Sequence, residues 1–208
     1  SIIMGKWISG FDVLGFPFDA GSRITTTLSS GDLDGDGDGE LVFGTESGTL
    51  YALNKDGSSY LEFMQSDSII GFPVLYDLNE TNQLKIIFLS MNDTASTIHV
   101  IDHGGEYVEG FPISFDGVFN RGASVADLNL DGTPEIISCS IDGIVIALNP
   151  MGDLIPEFPI ALSSIISTPV TIANIDMDNE LEIMVGTMDG HIYIIKHNGS
   201  ITQNFSSK

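Results

Sequence analysis

The chain has 208 residues, 42% of them hydrophobic, which is enough to bury a core in one domain and argues against disorder. It carries 29 acidic and 7 basic side chains, a formal charge of −22. Such a surface repels nucleic-acid phosphates and anionic membranes and attracts cations. The single cysteine, Cys139, excludes an intrachain disulfide and reads as a small buried residue. No apolar run approaches the ~20 residues of a membrane span, so no membrane insertion is expected. Ser1 to Trp7 lack the basic and apolar regions of a signal peptide.

In chain order, the first feature is a glycine followed six residues later by phenylalanine. It occurs at Gly10 and Phe16, Gly57 and Phe63, Gly105 and Phe111, Gly152 and Phe158, and Gly199 and Phe205, at intervals of 47 or 48 residues. Proline follows at Pro17, Pro112 and Pro159. The triplet Gly71, Phe72, Pro73 falls off this grid. Residues 1–17 read as the end of a preceding blade, with Ile2 to Ile8 on its third strand. Residues 18–64, 65–112, 113–159 and 160–208 read as four repeats. The whole is expected to belong to a larger propeller or assembly, since an open array exposes edges and faces that invite self-association.

Each repeat contains an acidic loop: Asp32 to Glu40 (DLDGDGDGE), Asp77 to Lys85 (DLNETNQLK), Asp127 to Glu135 (DLNLDGTPE) and Asn174 to Glu182 (NIDMDNELE). Two short apolar runs follow, for example Leu41 to Phe43 and Leu50 to Leu53, separated by a turn such as Ser47 and Gly48. Runs of this kind bounded by Gly, Asp and Asn predict hairpin strands, and no sustained helical period is present. About four strands in ~47 residues is the size of a β-propeller blade. The expected fold is all-β, four four-stranded blades with a leading partial blade.

Oxygen donors at positions 1, 3 and 5, a turn residue at 6 and a carboxylate beyond suit Ca²⁺, a hard ion that takes six to eight oxygens. In the first loop Asp32, Asp34, Asp36 and Glu40 are the expected carboxylate ligands. Asp38 is expected to offer its backbone carbonyl. The third loop offers Asp127, Asn129, Asp131, Thr133 and Glu135. The fourth offers Asn174, Asp176, Asp178, Glu180 and Glu182. In the second loop Lys85 puts a cation where a carboxylate belongs, so no metal is expected there. An EF-hand is excluded, because its twelfth-position glutamate is replaced by Phe43, Ser138 or Val185.

The acidic loop, the apolar strand after it and the pairs Gly44–Thr45 and Gly186–Thr187 resemble the FG-GAP and VCBS-type repeats of integrin α-subunit-like β-propellers. That resemblance implies Ca²⁺ in blade-edge hairpin loops and a role in surface adhesion or recognition. The expected function is a non-enzymatic, extracellular or cell-surface calcium-binding scaffold or adhesion module, with a protein or glycan ligand. The alternatives are a carbohydrate-binding or enzyme-appended propeller, or a self-assembling structural subunit. The histidines His99, His103, His191 and His197 lack zinc spacing and read as exposed strand or turn residues. Sequons at Asn79, Asn92, Asn198 and Asn204 are weak signals of glycosylation.

Overall fold

The computed structural model describes residues 15–206. Gly10 and most of the segment read as a preceding blade lie outside the described residues. Among the described residues, sixteen strands form four antiparallel sheets, each in simple chain order. The first holds β1 (Ser29–Gly31), β2 (Glu40–Gly44), β3 (Thr49–Leu53) and β4 (Ser59–Met64). The second holds β5 (Ser68–Tyr76), β6 (Lys85–Met91), β7 (Ala95–Ile101) and β8 (Ile113–Asp116). The third holds β9 (Ala123–Ala126), β10 (Glu135–Cys139), β11 (Ile144–Leu148) and β12 (Ile160–Ala161). The fourth holds β13 (Thr171–Ala173), β14 (Glu182–Gly186), β15 (His191–Ile195) and β16 (Ile201–Ser206).

The core lies between successive sheets. Strands buried on both faces are apolar throughout instead of alternating. In β10, Ile136 joins the cluster shared with the second sheet, whereas Ile137 and Cys139 join the one shared with the fourth. In β11, Ile146 and Leu148 take the first side, Val145 and Ala147 the other. The first strands of successive sheets lie side by side. Their hydroxyls tie the blades together: Ser29 Oγ donates to the Pro73 carbonyl at 2.6 Å, and Ser124 Oγ to the Val170 carbonyl at 3.0 Å. Four-stranded sheets joined at their first strands, with cores between them, are the blades of a β-propeller.

The period marked by glycine and phenylalanine is the β-hairpin between the third and fourth strands. Gly57, Gly105, Gly152 and Gly199 all take positive φ in this turn. The peptide bonds before Pro17, Pro112 and Pro159 are cis. The Gly110–Phe111–Pro112 segment packs on the same turn of the next sheet. A Cβ on Gly110 would stand 1.8 Å from the Met151 carbonyl oxygen, so only glycine fits. Gly15 meets Asp56 in the same way, and Glu157, with φ 71°, stands at that place before Phe158.

Two differences from the sequence reading follow from this joint. Where Phe-Pro interrupts the edge, the fourth strand begins after it, so β8 and β12 run beyond residues 112 and 159. In the first and fourth sheets Phe63 and Phe205 lie within the fourth strand itself. The off-grid Gly71 lies inside β5 at a register shift between Ile70 and Val74.

Candidate metal-binding loops

All four acidic loops connect the first and second strands of their sheets, and their last residue opens the second strand. The local hydrogen bonds explain why the repeat needs those residue types. At position 1, the carboxylate folds the loop back on itself. Asp32 Oδ2 accepts from the Gly37 amide at 3.0 Å, Asp77 Oδ2 from Asn82 at 2.6 Å, and Asp127 Oδ2 from Gly132 at 2.7 Å. Asn174 has one acceptor oxygen and takes the Met177 amide at 2.8 Å. At position 5, Asp36, Asp131 and Asp178 each accept the amide of position 7 at 2.8 Å. At position 9, one glutamate oxygen accepts the amide of position 2: Glu40 from Leu33 at 2.7 Å, Glu135 from Leu128 at 2.9 Å, Glu182 from Ile175 at 3.0 Å.

These position-9 glutamates are buried, with Glu40 and Glu182 only 1% exposed. Burial is the main cause that pushes the Glu40 carboxyl above its ordinary range. The Leu33 amide opposes it, and the charges of Asp34, Asp36 and Asp32 add to it. Burial likewise raises Glu135, against the Leu128 amide and with Asp127 and Asp131. Buried carboxylates beside further carboxylates are costly unless a cation neutralises them.

The structure brings together only part of each expected ligand set. Oxygens of Asp32, Asp34 and Glu40 lie within 4.8 Å of one another, as do those of Asp176, Asp178 and Glu182. These are the three-carboxylate groupings among the described residues. The Asp38 carboxylate pairs with Lys55, its expected donor being the backbone carbonyl, and the Glu180 carboxylate pairs with His197 Nδ1 at 2.9 Å. Asp36 Oδ1 serves its own loop. Loop 3 has a looser set: Asn129 Nδ2 donates to Asp131 Oδ2 at 3.0 Å, and Thr133 binds Asp131 through its amide. In loop 2, Asp77 makes the same turn, while Lys85 occupies the place of the buried glutamate and is itself 9% exposed. Burial raises the Asp77 carboxyl, but the amides of Thr81, Asn82 and Asn79 outweigh this and leave it below its usual range.

The residues that sequence reading missed come from the neighbouring hairpin of the same sheet. Asn54 and Lys55 line a cleft of about 260 Å³ with Asp36, Asp38 and Glu40. Asn149 lines a cleft of about 480 Å³ with Asn129, Asp131, Thr133 and Glu135, and His197 and Asn198, which follow the third strand of the next sheet, line it too. In loop 4 the ammonium of Lys196 sits 2.7 Å from both Asp176 Oδ2 and Asp178 Oδ2. Asn54, Asn149 and Lys196 each directly follow the third strand, so aligning the repeats at that point picks them out.

Two side chains outside the loops were also located. Cys139 is buried, and burial pushes its thiol up to about 11, which leaves it a packing residue rather than a nucleophile. His99 corrects the expectation of exposed histidines: it is 4% exposed, because its strand is covered on both faces.

A family model of the lambda-carrageenase β-propeller domain matches residues 96–208. The chain belongs to the lambda-carrageenase β-propeller domain family. No curated protein matches it. Among solved structures, this family member is similar to BBS1N, crystallised in complex with ARL6DN, at 18% identity and TM-score 0.66 over 90% of this chain and 58% of that one. It is similar to Saccharomyces cerevisiae Sqt1 at 17% identity and TM-score 0.57, over 80% of this chain and 48% of that one. It also resembles the Dos1 propeller at 12% identity and TM-score 0.58, over 88% and 47% of the two chains. At these identities the likeness is one of fold. The lambda-carrageenase-type propeller described here spans 58% or less of the length of these three chains.

Proposed function

We propose that this chain is a non-catalytic, calcium-stabilised β-propeller module that works outside the cell as a scaffold or in recognition. The observation that carries this reading is the first loop, where the oxygens of Asp32, Asp34 and the buried Glu40 converge within 4.8 Å. The donors are all oxygen, the flanking Asp36 and the Leu33 backbone hold the loop closed, and hard-oxygen sets of this kind suit Ca²⁺. In loop 3, Asp127, Asn129, Asp131, Thr133 and Glu135 are the candidate ligands. Loop 4 has the same pattern of donors, with the Lys196 ammonium already among its carboxylates. Ca²⁺ in these loops would neutralise clustered charge and fix the first hairpin of the blade. The order of oxygen donors, with the Gly-Thr pairs beyond, supports an FG-GAP or VCBS-like style of loop within the propeller.

The family description favours a second reading, in which the propeller is appended to a carbohydrate-active enzyme and supports recognition of a polysaccharide. The charge of −22 bears on this, because a polyanionic glycan would meet this surface only through bridging cations. The BBS1N complex with ARL6DN lends support to a protein partner as the other class of ligand.

The deciding experiment is a Ca²⁺ titration of chelator-stripped protein, read by calorimetry and thermal melting, with Asp34→Ala and Asp131→Ala. Saturation at a hundred times Kd adds about 2.7 kcal/mol per site. At about 2–4 °C per kcal/mol for a chain of this size, two sites raise the melting temperature by roughly 10–20 °C. Each variant is expected to lose one site. No Ca²⁺ binding and an unchanged melt would sink the metal reading. Binding to neutral or sulfated polysaccharides, with and without Ca²⁺, then separates the glycan reading from the protein-partner reading.

A further inference from the structure

The residues at one pair of equivalent positions differ between the four loops. Strand register pairs Leu41 with Leu53, Ile86 with Ile101, Ile136 with Leu148 and Ile183 with Ile195. The loop-closing residue precedes the first of each pair, and the next position across follows the second. These positions hold Glu40 and Asn54, Lys85 and Asp102, Glu135 and Asn149, and Glu182 and Lys196. Loops 1 and 3 therefore combine a buried glutamate with a neutral amide. Blades 2 and 4 combine an acid with a lysine, in opposite order.

In loop 4 the consequence is visible at the atomic scale. Lys196 Nζ bridges Asp176 Oδ2 and Asp178 Oδ2 at 2.7 Å each, and its side chain is only 20% exposed. Glu182 is 1% exposed, and its Oε1 is buried without a hydrogen-bond partner. It lies within 4.8 Å of the same two aspartates. A site with an unpaired buried carboxylate oxygen and an ammonium across its other two acids is a cation site with a tethered occupant.

We infer that Lys196 is a built-in cation that holds loop 4 in place of a metal ion, so that Ca²⁺ enters this loop only by displacing it. At this position blades 1 and 3 then draw their cation from solution, while blades 2 and 4 carry a lysine; Lys55 of blade 1, one residue further on, pairs with Asp38, which is outside the Asp32, Asp34 and Glu40 group. The inference rests on the calcium reading of loops 1 and 3 for that contrast, but the property of loop 4 is measurable by itself.

The test is Ca²⁺ titration calorimetry of the stripped full chain, with circular dichroism melts as the fold check. Lys196→Asn gives loop 4 the residue of the other two loops. Removing an ammonium that pairs with two carboxylates raises affinity there by roughly tenfold or more, so the variant gains one Ca²⁺ site over wild type. It melts lower than wild type without Ca²⁺ and recovers with it. The reciprocal variant Asn149→Lys loses the loop 3 site and keeps its melt unchanged by the ion. It carries the test if Lys196→Asn does not fold. Equal stoichiometry in wild type and Lys196→Asn overturns the inference. So does a wild-type site lost on Asp176→Asn with the affinity of the loop 1 site. If Asp34→Asn and Asp131→Asn leave binding unchanged while Lys196→Asn gains a site, the reading of loops 1 and 3 fails and the inference about Lys196 stands.

Discussion

His99 is packed face to face on Phe88, with ring centroids 4.6 Å apart, and lies between two hydroxyls. Ser90 Oγ is 2.8 Å from its Nε2, and Tyr107 Oη is 2.7 Å from its Nδ1. A neutral imidazole, with one donor and one acceptor nitrogen, satisfies both hydroxyls; a charged one could donate to both as well, but burial in this apolar setting disfavours its charge. Burial brings the pKa down to about 4, against a small opposing pull from Asp67. The unfolded chain therefore takes up the proton first, at its ordinary value near 6.5. His99's contribution is fully present above that value and is lost as the pH falls from about 6.5 toward 4. Urea melts at pH 7 and pH 5 are expected to differ by about 2 kcal/mol more in wild type than in His99→Phe. An equal drop in the two proteins rules this account out. Ser90→Ala leaves the buried Nε2 without its partner and costs about 1–3 kcal/mol at neutral pH.

At the scale of the elements, the joint between blades is the sensitive part. Gly110 takes φ 90° and has the Met151 carbonyl where a Cβ would go. Gly110→Ala is expected to cost about 2–3 kcal/mol through strain and separation of the second and third sheets. Gly21 also takes positive φ, 66°, but nothing lies within 4 Å of its would-be Cβ, so Gly21→Ala costs about 1 kcal/mol. Equal losses in a denaturant series would show that the joint adds nothing beyond the backbone conformation. The strands and acidic loops were legible in the sequence because they are local: two apolar runs about a turn, and carboxylates at alternate positions. The buried role of Glu40, Glu135 and Glu182 was less so, since an acid that clamps a backbone amide and an acid that binds metal look alike in one dimension. Lys55 and Lys196 escaped because they lie 17 and 18 residues beyond Asp38 and Asp178, the acids they meet across the sheet. His99 escaped for another reason. A strand covered on both faces hides which of its residues are inside.

For the whole molecule, charge is the dominant unbalanced quantity. Against 29 acids stand 7 lysines and arginines. Three of these, Arg23, Lys55 and Lys196, form ion pairs among the described residues, at distances that link one loop or hairpin to another. The remaining acids repel one another at low ionic strength, and screening shortens the reach of that repulsion from ~30 Å at 0.01 M to ~10 Å at 0.1 M salt. Raising NaCl across this range should raise the melting temperature, and CaCl₂ at matched ionic strength should raise it further. An equal rise in the two salts would mean that screening alone operates and that no loop holds the ion specifically.

The joint between sheets is built from like parts at successive positions. The Phe111–Pro112 segment rests on the hairpin containing Gly152, and the Phe158–Pro159 segment follows Glu157, which rests on the hairpin containing Gly199. The first sheet ends differently, with Phe63 inside β4 and Leu61 against Gly105. The stretch from Ile113 to Pro159 is thus an exchangeable cassette: excised, it leaves Phe111–Pro112 facing a hairpin turn of the kind it already meets. Cutting at the first sheet's edge would join unlike surfaces. Deleting residues 113–159 is therefore expected to leave a chain that still folds, whereas a deletion that joins the first sheet's edge to a later hairpin is expected to lower its melting temperature.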